Sequence, residues 1–134
     1  MQIQTFLTLY AISVPLFLAC DLLWLGFIAK GFYRAQVGHL MGDVMWIPAL
    51  LFYALFLVGL TFFATYPAAT KGTIATAIVL GGLFGFFSYA TYDLTNLATL
   101  KSWPVALSIV DMLWGTFLGA FVAASAVIIR NFIV

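Results

Sequence analysis

The chain has 134 residues, 66% of them apolar and only 7% charged, with a formal net charge of +1. A soluble domain runs about 45–50% apolar and about 25% charged, so a water-soluble fold of this length is excluded, as is disorder, which needs low hydrophobicity and high charge. No clustered basic face is present to meet nucleic acid. The expected environment is a lipid bilayer.

The first apolar run covers roughly residues 6–29. Gln2 and Gln4 stand ahead of it where a signal peptide would carry Lys or Arg, and the run continues past Cys20, so an uncleaved membrane helix is expected. Pro15 should bend it. Cys20 is the only cysteine, which leaves no disulfide framework and no cysteine-based metal site. A connection from Lys30 to Asp43 follows, in which Phe32, Tyr33, Val37, Leu40 and Met41 suit a short amphipathic segment lying in the interface.

Three further runs, roughly 44–66, 73–98 and 104–129, each approach or exceed the about 20 apolar residues of a transmembrane helix. Breaks with turn chemistry separate them: Pro67, Lys71 and Gly72 in one, Lys101 and Pro104 in the other, with Pro104 suited to the first turn of the last helix. Trp46, Tyr66 and Trp103 fall near span ends, as interfacial aromatics do. Apolar residues surround each run rather than forming a stripe. The fold class expected is all-α: a polytopic membrane protein of four transmembrane helices in a compact bundle, making one domain over residues 1–134. Gly81 and Gly85 in the third span, with Gly115, Gly119 and Ala123 in the fourth, repeat at four-residue spacing and suit close packing of those two helices.

The four acids are all aspartates. With side A defined as the side of the N-terminus, Asp21, Asp93 and Asp111 fall on three helices, each roughly 10–13 Å below side B at 1.5 Å per residue. Asp43 lies at the side B boundary. Intramembrane carboxylates cost about 2.5–3.5 kcal/mol each on insertion scales and face a bundle interior or a cavity. A shared polar site among the first, third and fourth spans is therefore expected. Trp24 follows Asp21, and Trp114 follows Asp111, at i, i+3 on the same helix face; Asn96 stands likewise to Asp93, with Tyr92 adjoining. Three like charges this close in a low dielectric cannot all stay ionised. The layer suits carrying a proton or releasing a bound cation, and indole faces beside it suit an organic cation. Arg34, His39 and Lys101, above the layer on side B, are candidates for a relay or a headgroup contact. The alternative is that the aspartates only fix helix registry through hydrogen bonds or through Lys30, Arg34 or Lys101. Neither a transition-metal site nor a nucleotide, phosphate or other cofactor fingerprint is expected, and nothing in the motifs requires an enzyme.

The chain resembles a family of small bacterial inner-membrane proteins known only as a domain of unknown function. The resemblance runs nearly end to end and rests on Asp21-Leu22-Leu23-Trp24-Leu25-Gly26, Phe32-Tyr33-Arg34 with Gly38-His39-Leu40, Tyr92 through Lys101, and Val110-Asp111 with Trp114-Gly115. It implies a bacterial inner membrane and carries no activity with it. Asp43 has no counterpart in the family pattern and stays outside the expected site. Three functions remain open: binding or transport of a proton, cation or small cationic solute, for which a homodimer would help enclose a pathway; an accessory subunit of a larger membrane complex; and a lipid-modifying enzyme with Asp and His as acid and base, which would need an opening to the bilayer beside Asp21 or Asp111.

Overall fold

A computed structural model describes residues 1–134. The chain folds as α1 (Ile3–Leu23), α2 (Lys30–Val37), α3 (Trp46–Leu60), α4 (Tyr66–Lys71), α5 (Ile74–Thr99) and α6 (Val105–Ile133), with no strand. A π-helical turn, Trp24–Ile28, extends α1, and a second, Thr61–Thr65, joins α3 to α4. Four continuous helices result, Ile3–Ile28, Trp46–Lys71, Ile74–Thr99 and Val105–Ile133, each long and apolar enough to cross a membrane. Only 28 of 134 residues are buried, and large apolar side chains on all four spans point outward. An outer surface of that kind is stable against lipid tails and not against water.

The second span ends later than expected. The break drawn from Tyr66 to Thr73 shrinks to Gly72 and Thr73, because the helix continues through Pro67 to Lys71. Pro67 is the second residue of α4, in the first turn after the π turn, where its missing N–H is least needed. Gly72 then leaves helical geometry, and Thr73 caps α5 in a reciprocal box with Thr76. Pro104 stands at the N-cap of α6, immediately ahead of the first turn expected for it. Pro15 lies inside α1, which stays helical through it.

The expected close packing of the last two spans is present. A β-carbon on Gly81 would overlap the Gly119 carbonyl and Ala123, and one on Gly85 would overlap the Gly115 carbonyl. The two backbones thus meet where neither helix has a side chain. No helix is more deeply buried than α6, which packs on α5 and on α1. The apolar core, including Phe17, Phe56, Leu60, Leu118 and Val122, fills the bundle from its middle toward side A. The Thr61–Thr65 turn packs against α1, α5 and α6, whereas α3 itself touches α5 only sparsely. The second span is therefore held by its side A half.

Candidate functional site

The side B half holds the polar residues. Asp21 comes from the last turn of α1 and Asp111 from the second turn of α6. They are 3% and 6% exposed, respectively. Both line one cavity of about 280 Å³, walled also by Tyr33, Tyr53, Tyr89 and Trp114. A second hollow of about 290 Å³ shares Asp111, Phe52, Tyr89 and Tyr92 with the first and adds Ser88.

The partners of the two carboxyls are tyrosines. Tyr53 on α3 donates to Asp21 Oδ2 at 2.5 Å. Tyr33 on α2 donates to Asp111 Oδ1, and Trp24 Nε1 donates in turn to the Tyr33 oxygen at 3.3 Å. Each carboxyl uses one oxygen in this way and leaves the other without a partner from the protein. Trp24 and Trp114 stack almost parallel, ring centres 4.3 Å apart and planes 5° from each other. Stacking occupies one face of each indole, so Trp114 meets the cavity as a wall and Trp24 stands behind it. The Trp114 N–H is buried beside Asp21 without closing a hydrogen bond of good geometry.

Asp93 stands apart from this pair. It is fully buried, lines neither hollow, and neither carboxyl oxygen has a hydrogen-bond partner. Ser108 Oγ reaches the Asp93 main-chain oxygen at 3.4 Å and accepts from Trp103 Nε1 at 3.0 Å. Ser108 lies three residues before Asp111, which puts Asp93 about 4.5 Å nearer side B at 1.5 Å per residue. The single depth expected for three carboxyls assumed level helix ends, and α5 and α6 do not end level. Two aspartates are brought together and the third is not.

The other expected residues divide similarly. Tyr92 lines both hollows and meets Trp103 edge to face. Asn96 is half-buried and lines neither hollow. Arg34, His39 and Lys101 are exposed on side B, and Arg34 borders a separate surface hollow with Gly38 and Asp43. Tyr89, one turn before Asp93 on the same helix face, does line both hollows, whereas Tyr33, Tyr53 and Ser88 were not expected there. A tyrosine inside an apolar span needs a partner for its hydroxyl, and that requirement was the available clue for Tyr53. Two carboxyls among phenols and indoles can neutralise one positive charge and donate or accept a proton, but they are a poor donor set for a transition metal.

The family model described as "Predicted membrane protein (DUF2177)" matches residues 6–128. No curated protein and no solved structure matches the chain. With nearly the whole chain inside that match, and four helices able to span a bilayer, the protein belongs to the DUF2177 family of membrane proteins of unknown function.

Proposed function

We propose that this multi-pass membrane protein binds a proton, a cation or a small cationic solute at Asp21 and Asp111. The observation that carries the reading is the pairing of two buried carboxyls in one intramembrane cavity, each held by a tyrosine through one oxygen and free at the other. No lysine or arginine donates to either of them. A charge in such a place needs a counter-ion or a proton, and a cation in the cavity supplies the first. Trp114, Tyr53 and Tyr89 add aromatic faces and hydroxyls around the same space. Toward side A the apolar core closes the bundle, so passage across the membrane requires that packing to open. Binding is the primary reading and transport its extension, in the inner membrane of a bacterium and with a second copy as the simplest partner.

The test is a titration of the protein in lipid nanodiscs with proton, alkali cations and methylammonium, followed by thermal unfolding and tryptophan fluorescence. A saturable response is expected in the wild type and should vanish in Asp21→Asn and Asp111→Asn. If both variants respond as the wild type does, the site is not where we place it.

A further inference from the structure

The hollow of about 290 Å³ beside Asp111 lies between α3 and α5, and the other shares four of its lining residues and reaches on to Asp21 on α1. Phe52 is contributed by α3; Ser88, Tyr89 and Tyr92 by α5; Asp111 stands at the inner wall. The side A half of the second span packs into the bundle through Phe56, Leu57, Leu60 and the Thr61–Thr65 turn. Toward Trp46 the contacts with α5 thin out, and Ile47, Leu50 and Leu51 turn outward at 84%, 56% and 57% exposure. Phe52 and Tyr92 are 45% and 57% exposed where the helices part. Phe52 is six residues beyond Trp46, about 9 Å inside the span at 1.5 Å per residue, and Tyr92 borders the same hollow. At that depth the gap faces hydrocarbon, not water.

We propose that this gap is a lateral entrance and that the ligand is a lipophilic amine, an ammonium head on an apolar tail, taken directly from the bilayer. The proposal rests on the cation-binding reading above and names its substrate class. Asp111 is more than nine-tenths buried, borders both hollows, and keeps Oδ2 without a protein partner; Asp21 offers Oδ1 on the same cavity. Two free carboxyl oxygens match the N–H donors of an ammonium group. The size also decides against a bare ion: hollows of about 280 and 290 Å³ exceed by several times the about 30 Å³ share of a single water. An inorganic cation would have to shed its hydration shell to enter from lipid, whereas an amine with an apolar body is already concentrated there. Phe52 and Leu25 give that body an apolar wall. A zwitterionic lipid head fits worse, because its phosphate would meet the same carboxyls.

The experiment titrates n-dodecylamine and methylamine into the protein in phosphatidylcholine nanodiscs, with empty discs correcting for partitioning and tryptophan fluorescence as readout. Dodecylamine is expected to bind at least about tenfold tighter than methylamine after that correction. Ser88→Phe, which fills the hollow from its α5 side, should weaken dodecylamine about tenfold more than it weakens methylamine. Phe52→Ala, which widens it, should speed dodecylamine association. Equal affinities for the two amines, or full dodecylamine binding in Ser88→Phe, would overturn the lateral entrance while leaving the cation site standing. Absence of saturable binding by either amine removes the cation site and the entrance together. Competition by phosphatidylethanolamine added to the discs overturns the free amine in favour of a lipid head.

Discussion

Tyr53 and Tyr33 give the two cavity aspartates their only protein hydrogen bonds, and Asp93 has none through its side chain. Opposite consequences of substitution follow. Tyr53→Phe leaves the buried Asp21 carboxyl without its donor and is expected to lower stability by about 1–3 kcal/mol. Asp21→Leu leaves the Tyr53 hydroxyl without its acceptor but also removes the buried carboxyl, and should cost less than Tyr53→Phe. Asp93→Leu removes a buried carboxyl with which the neighbouring Ser108 hydroxyl closes no hydrogen bond of good geometry, so the apparent melting temperature in detergent should hold or rise. Circular dichroism melts of the three variants measure this directly, and a large loss in Asp93→Leu would show that its carboxyl has a partner. The aspartates themselves were legible in the sequence, because one charge in an apolar run is a high-contrast signal. Their tyrosine partners were not. Tyr33 reads as an interfacial aromatic and Tyr53 as one more bulky residue in a span, since sequence alone does not say where a hydroxyl points.

Among the elements, the α5–α6 contact is the most demanding, and the glycine spacing announced it. Gly85 and Gly81 meet opposing main-chain carbonyls, so the backbone has to move to admit even a methyl group. Gly85→Ala is expected to destabilise by about 1–3 kcal/mol through overpacking. Gly26 has nothing within 4 Å of an added β-carbon, and Gly26→Ala should be neutral or mildly stabilising. Thermal unfolding of this pair separates close approach from the general frequency of glycine in membrane helices. Boundaries were less legible than contacts. The π turns at Trp24–Ile28 and Thr61–Thr65 carry no residue signature, and the second of them is what lets the helix run on through Pro67. The segment after Lys30 does form a short helix, α2, but its Tyr33 turns inward to Asp111 instead of lying only in the interface.

For the whole molecule, the polar and apolar residues divide along the membrane normal. The core cluster fills the half toward side A, and the carboxyls, phenols and stacked indoles occupy the half toward side B. The four-helix architecture followed from the composition and the lengths of the apolar runs. The gap between α3 and α5 did not, because it depends on how one helix leans against another, and every outward face is equally apolar. The account stands on Asp21 and Asp111 sharing a cavity that a small molecule can reach from the membrane while Asp93 stays sealed. Labelling with an apolar carbodiimide, mapped by mass spectrometry in nanodiscs, tests this most directly, since the reagent reaches protonated carboxyls through the bilayer. The account predicts modification at Asp111 or Asp21, suppressed by dodecylamine, and none at Asp93. Modification of Asp93 alone, or labelling of the pair that dodecylamine does not suppress, would contradict it.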